Sequence, residues 1–211
     1  MKYKIWVYVV CWNEIDIAPF VVDYWKQYAE KIVVYDNGSD DGTLEYLSQF
    51  PFIEIRHFET DGLDDTANMN IKNQCWKEAR NKTDFVVVSD FDECLFSSVF
   101  EQELDYMKEN EFTICGPEQY ALCDDHCPEY VEGKFLHEIL TRVYHQKSNH
   151  SFDVTGKIML FDPNAVTETN YRPGCHTCKP TGDIKLYDRK RLFCLHTQKG
   201  FGVDYKIKRF K

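Results

Sequence analysis

A chain of 211 residues is long enough for one domain or two small ones, and folding at this size removes about 70% of the unfolded surface from water. With 43% hydrophobic and 15% aromatic residues the sequence is too apolar to remain disordered, so a core with a deep cleft is expected. The net charge of −10 argues against nucleic acid as a partner, because that binding needs a basic face.

The first strong pattern is the β-rich run Lys4 to Val10. The apolar stretch from Ile5 to Trp12 is far shorter than the ~20 residues of a membrane helix, so no membrane span is expected. It ends in Asn13-Glu14 without a small-residue cleavage pattern, which predicts a chain that is not secreted. From Ala18 to Ala29, Phe20, Val21, Tyr24, Trp25 and Tyr28 recur at helical spacing, with Pro19 in the first turn. Ile32 to Tyr35 is a second strand, Asp36 to Gly42 a turn-rich loop, and Thr43 to Ser48 a short helix. Ile53 to Phe58 is a third strand. Ile71, Cys75 and Ala79 mark one face of a further helix, and Asp84 to Ser89 forms a fourth strand with a continuous apolar centre. The second half is less regular, with strands expected at Phe112 to Cys115 and Lys157 to Phe161.

Alternating strands and helices predict a doubly wound α/β sheet whose ligands bind beyond the carboxyl ends of the strands. The residues there are Cys11 to Glu14, Asp36 to Gly42, Glu59 to Asp65 and Ser89 to Glu93. Without linker or repeat, the whole of 1–211 is expected to be one catalytic domain. A nucleotide-binding half would cover about 1–95, and 96–211 would complete the acceptor and metal side.

The sharpest signal is Val86-Val87-Val88-Ser89-Asp90-Phe91-Asp92-Glu93, a buried strand running into alternating acids. If extended geometry persists, Asp90 and Asp92 point to one side and can offer two hard oxygen ligands to a divalent cation. The plainer reading is an acidic loop capping the next helix. In the second signal, Asp36-Asn37-Gly38-Ser39-Asp40-Asp41-Gly42-Thr43, Asp36 sits at a strand tip where it can accept a hydrogen bond from a base or ribose. Its plainer reading is a left-handed turn and a helix cap.

Together with the opening Cys11-Trp12-Asn13-Glu14, these segments resemble the GT-A fold of family-two-like glycosyltransferases. Further matches are Ile71 to Glu78, Pro173-Gly174-Cys175-His176, Pro180-Thr181-Gly182, and Leu195-His196 followed by Lys199-Gly200. Within that family the pattern is similar to domains that decorate the capsid glycans of large algal viruses. The resemblance implies a Rossmann-like, mixed but mostly parallel sheet with helices on both faces, and transfer of a sugar from a UDP-sugar to a glycan or glycoprotein acceptor. It implies that Val10, Cys11, Asn13, Glu14 and Asp36 hold the uridine, that Lys72 and Lys199 lie near the donor diphosphate, and that Asp90 faces ribose and metal. Asp92 would be the principal metal ligand and His196 the third ligand after Asp90 and Asp92. His176 would line the sugar and acceptor side. An imidazole beside two carboxylates suits Mn²⁺ better than Mg²⁺.

An inverting reaction would also need a carboxylate base. Glu118, Asp124, Asp125, Glu129 and Asp153 are candidates that the sequence does not rank; Asp153 joins Asp92 and His176 as the expected catalytic set. Two other functions share these motifs. A strand followed by D-x-D also opens phosphatases of the haloacid dehalogenase type, but there Thr or Val usually follows where this chain has Cys94. Cys123, His126 and Cys127 with Cys175, His176 and Cys178 can be drawn as a zinc-binding interaction module, though their irregular spacing favours thiols without a shared metal. Nine cysteines without a framework rhythm predict reduced thiols and a cytoplasmic chain, the host cytoplasm if the gene is viral.

Overall fold

The computed structural model describes residues 2–62, 64–140, 142–146, 157–197 and 201. In chain order the elements are β1 (Ile5–Cys11), α1 (Ala18–Trp25), β2 (Lys31–Asp36), α2 (Thr43–Leu47), β3 (Ile53–His57) and α3 (Asp65–Gln74), which tightens into a 3-10 segment over Cys75–Ala79. There follow β4 (Phe85–Asp90), β5 (Glu93–Phe96), α4 (Phe100–Glu109), β6 (Ile114–Cys115), β7 (Glu118–Cys123), α5 (Leu136–Ile139) and β8 (Arg142–Gln146). The last four strands are β9 (Leu160–Phe161), β10 (Val166–Glu168), β11 (Thr181–Gly182) and β12 (Phe193–His196).

The central six-stranded sheet has the order β3-β2-β1-β4-β9-β6. Its first four strands are parallel, and β9 pairs antiparallel with both β4 and β6. Strand alternation sorts the core onto two faces. Val7 and Val9 of β1 and Val87 of β4 pack with Phe20 and Trp25 of α1, Leu47 of α2, and Leu104 and Met107 of α4. On the other face Tyr8, Val86 and Val88 pack with Cys75, Trp76 and Ala79 and with Ile158, Phe161 and Tyr171. The sheet is therefore covered on both sides, which is why its strands read as nearly continuous apolar runs. Among the described residues no helix is long and apolar enough to cross a membrane.

Three expectations shift in detail, the first being that the strand expected over Phe112 to Cys115 narrows to Ile114–Cys115. The α1 helix ends at Trp25 rather than Ala29, because Tyr28 donates its amide to Trp25 in a tightened last turn. The strand expected over Lys157 to Phe161 pairs only at Leu160 and Phe161, while Lys157 turns inward as a fully buried ammonium group.

A second sheet, β5-β12-β7-β8, grows from the end of β4. β12 runs antiparallel to β5 with His196 opposite Glu93, and the Thr197 amide donates to the Asp92 carbonyl at 3.0 Å. This pairing carries a histidine from late in the chain to the tip of the fourth strand.

Candidate active site

At the carboxyl ends of β1 and β4 lies a cleft of about 200 Å³. Val10 and Cys11 line it from the end of β1, Trp12 and Glu14 from the loop that follows, and Asp65, Asn68 and Lys72 from α3. Asp90, Asp92 and Glu93 form its floor, with His196 beside them and Gly174, Cys175 and His176 on the opposite rim. Residues that are distant in sequence thus meet where a doubly wound sheet places its ligand.

The floor is an ion network. Lys72 Nζ donates to Asp90 Oδ1 at 2.5 Å, and Lys157 Nζ reaches Asp90 Oδ2 at 3.2 Å as well as the Glu93 carboxylate. Both lysines are 2% exposed or less, so neither ammonium is solvated and each depends on its carboxylates. Burial by itself would raise the Asp90 pKa, but the two lysines outweigh it and hold that carboxyl well below the usual range. Burial would likewise lower the Lys157 pKa, and Glu93 and Asp90 reverse the sign.

Asp90 and Asp92 do not share an extended ladder. β4 stops at Asp90, and Phe91-Asp92 forms a turn into β5, so the side-by-side geometry expected of D-x-D is replaced by a corner. Asp92 instead meets His196, whose Nε2 lies 3.7 Å from Asp92 Oδ2. Burial pushes the imidazole pKa down, yet the Asp92 carboxylate outweighs it and raises the value. Two donors at roughly 2.1 Å from one ion sit about 3.0 Å apart at right angles and about 4.2 Å when opposed, so this pair fits two positions of one divalent cation. Among the described residues no group of three His, Cys, Asp or Glu side chains is arranged to hold a metal. Asp90, tied to both lysines, is the member of the expected triad that is turned to other partners.

The loops after β1 and β2 are clamped together. Asn13, at φ 54°, donates its side-chain amide to Asp40 Oδ1 at 3.0 Å and accepts the Asp40 amide at 2.9 Å. The Glu14 amide donates to Thr43 Oγ1, and the Ile15 amide to Asp41 Oδ2. Asp36 is fully buried and builds the adjoining turn, accepting the Gly38 and Ser39 amides at 2.9 and 3.0 Å and the Ser39 hydroxyl at 2.5 Å. Neither Asn13 nor Asp36 lines the cleft; Asn37 and Trp12 do. The geometry gives those two expected uridine residues a loop-building part.

The opposite rim is set by Asn73, next to Lys72 on α3. Its Oδ1 accepts the Tyr171 amide at 2.8 Å and the Thr169 hydroxyl at 2.9 Å, and its Nδ2 donates to the Tyr171 carbonyl. Beyond Tyr171, the Cys175 amide closes on the Arg172 carbonyl at 2.8 Å, with Pro173 and Gly174 between them and Gly174 at φ +78°. Proline followed by a positive-φ glycine is the signature of a type II turn, and it aims His176 at the cleft. A Cβ on Gly174 would lie 3.2 Å from His176 Cδ2. Gly174→Ala is therefore expected to cost about 1–2 kcal/mol and to lower activity by roughly tenfold as the ring is displaced. Thermal melts and donor turnover check this against Gly38→Ala, which has φ +73° but open space around the added methyl. Equal activity losses in both variants would remove the His176 contact from the explanation.

Asp153 and Lys199 lie outside the described residues. Of the other base candidates, Glu118, Asp124, Asp125 and Glu129 do not line the cleft. Cys127 packs, partly buried, against the core on one face of the sheet and its Sγ donates to the Asp16 carbonyl, whereas Cys175 and Cys178 are buried in the core on the other face. All nine cysteines are free thiols, and burial pushes Cys75 up to about 12. Lys157, Glu93 and Asn73 were not singled out from the sequence. Glu93 carried a signal, as the acid directly after D-x-D; an isolated lysine before a short apolar run carried none.

The sequence matches the family model for Glycosyl transferase family 2 over residues 6–168. The chain belongs to glycosyl transferase family 2, and its central sheet is the mostly parallel sheet of the GT-A fold. No curated protein matches the sequence. Among solved structures it is similar to S. aureus TarS, with 17% identity and a TM-score of 0.43 over 59% of this chain and 23% of that one. It is also similar to S. aureus TarS 1-349 in complex with UDP, with 16% identity and a TM-score of 0.43 over 60% of this chain and 38% of that one. The chain thus spans well under half the length of these structures.

Proposed function

We propose that the chain transfers a sugar from a UDP-sugar donor to a glycan or protein-linked acceptor, with a divalent cation, Mn²⁺ or Mg²⁺, between the protein and the donor diphosphate. The observation that carries this reading is the pairing of β5 with β12, which sets Asp92 beside His196 at the edge of the cleft. The charge balance supports it. Five carboxylates, Glu14, Asp65, Asp90, Asp92 and Glu93, line the cleft, and the buried ammonium groups of Lys72 and Lys157 neutralise only part of them. A diphosphate would add negative charge to that surplus, so its binding calls for a further cation.

Asp92 and His196 would hold the cation. When bound, it would supply Lewis-acid stabilisation of the charge that develops on the leaving diphosphate. Lys72 and Lys157 fix Asp90, whose carboxylate remains a third exposed to the cleft and is proposed to meet the ribose. His176 is proposed to face the sugar and acceptor, Val10, Cys11 and Glu14 the nucleoside, and Lys199 the diphosphate. Asn13 and Asp36 support the nucleoside through the loops they build. Asp153 is proposed as the acceptor-side carboxylate on the sequence pattern alone, and the narrower likeness to enzymes of viral capsid glycans rests on the same ground. Residues from 10 to 93 and from 174 to 196 share one cleft, which supports a single catalytic unit across both halves. Nine free thiols support a reducing compartment such as the cytoplasm.

A thermal-shift panel tests the donor class. UDP with Mn²⁺ at about 100 times its Kd should stabilise the fold by about 2.7 kcal/mol, a rise of roughly 5–11 °C, and should exceed GDP and ADP. Equal shifts for all three nucleotides would contradict a uridine site.

A further inference from the structure

We infer that Tyr130, on the loop after β7, is a stacking platform for a sugar unit of the acceptor glycan outside the cleft; this rests on the glycosyltransferase reading above. Tyr130 and Val131 are 41% and 44% exposed, side by side in a stretch, 129–134, in which every residue is exposed. A ring open to solvent to that degree can be reached by a ligand. Glu129, Glu132 and Lys134 surround the two apolar side chains with charge. So small a patch does not suit a protein partner, which covers about 800 Å² on each side. It does match one pyranose, which has an apolar C–H face to lie on an aromatic ring and a rim of hydroxyls to meet the polar groups around it.

The ring is held in place although it is exposed. Its hydroxyl donates to the Asp23 carboxylate, which also accepts the Gly133 amide at 3.1 Å and pairs with Lys26. Phe20 of α1 meets the ring nearly at right angles, with centroids 5.2 Å apart. The Lys134 amide donates to the Val131 carbonyl at 3.1 Å and closes the loop behind it. Ordering a loop side chain on binding costs affinity, and a tyrosine already fixed at its hydroxyl and its ring avoids most of that loss. Polar groups stand around it. The Lys26 ammonium group is 47% exposed, and Tyr46 of α2 lies near the same Asp23–Lys26 pair, so donors and acceptors are at hand for a hydroxyl rim.

The position relates this platform to the cleft. β7 runs parallel to β12 with Ala121 opposite His196, so the chain leaves β7 at the end of the second sheet that borders the cleft. It then crosses the approach to α1, where Cys127 Sγ donates to the Asp16 carbonyl, and sets Tyr130 on Phe20. The Ile17 and Ala18 amides already close on the Glu14 carbonyl, so Phe20 follows Glu14 of the cleft by six residues of near-helical chain, roughly 9 Å. A short oligosaccharide spans that distance, and an acceptor chain leaving the cleft on this side would be held at both places.

The test uses saturation-transfer NMR with irradiation of the aromatic protons and a panel of methyl glycosides of common hexoses, pentoses, deoxyhexoses and N-acetylhexosamines, with the cleft filled by UDP and Mn²⁺. At least one glycoside should bind and receive saturation chiefly on the C–H protons of one ring face. Tyr130→Ala should weaken it by about fivefold, whereas Tyr130→Phe, which keeps the ring, should retain most of the affinity. Both variants should bind UDP as the wild type does, since the residue lies outside the cleft. No glycoside binding, binding indifferent to Tyr130→Ala, or equal losses in the two variants would overturn the platform. Failure of UDP to bind would count against the glycosyltransferase reading instead, with the glycoside arm still deciding the role of Tyr130.

Discussion

Asp92→Ala is expected to lower donor turnover by about 10³-fold, the largest catalytic loss of any single substitution in the cleft. The side chain is 4% exposed, sits in the corner between β4 and β5, and faces His196 at 3.7 Å. Removing it takes away the formal negative charge with which the protein would hold a cation, and leaves the imidazole alone. His196→Ala keeps that carboxylate and should lose roughly 10–100-fold, with part of the loss recovered at high Mn²⁺. The rate of UDP release from the UDP-sugar that most stabilises the protein measures both. Equal, small losses in the two variants would mean that the Asp92–His196 corner only braces β5 against β12.

Lys157→Met should produce the largest loss of stability, about 3–5 kcal/mol, which at this chain length lowers Tm by roughly 6–20 °C. The ammonium group is 1% exposed and is shared by Asp90 and Glu93; without it Glu93, 4% exposed, is left as a buried charge. Adding Glu93→Gln removes that orphan, so the double variant should be more stable than Lys157→Met alone. Denaturant melts of the two single variants and the double check the coupling. A loss below about 1 kcal/mol in Lys157→Met would show that Glu93 finds solvent or another partner.

The first half of the fold was legible because its signals are local. The apolar, β-branched run Ile5–Cys11 and the continuous run Phe85–Val88 place strands, and the Gly38 and Gly42 turns mark the loop between β2 and α2. The second half depends on pairings that no local pattern encodes. β9 and β6 have two residues each and exist because the sheet edge supplies partners, so a five-residue strand was expected at Lys157 to Phe161 where two residues pair. Within the site, Asp90, Asp92, Lys72, His176 and His196 were found from motifs and all line one cleft. The roles of Asn13 and Asp36 were harder to read. A polar residue at a strand tip can serve a ligand or its own turn, and only the Asp40, Gly38 and Ser39 contacts distinguish the two. Lys157 was silent because its significance lies in the carboxylates it meets, 64 and 67 residues earlier in the chain.

Titration of UDP into wild type and Asp92→Ala, each with and without Mn²⁺ and followed by calorimetry, tests the central claim most directly. If the Asp92–His196 corner holds a cation against the donor diphosphate, Mn²⁺ should tighten UDP binding to the wild type by about tenfold or more and leave the affinity of Asp92→Ala nearly unchanged. An equal Mn²⁺ effect in both proteins, or none in the wild type, would contradict the account.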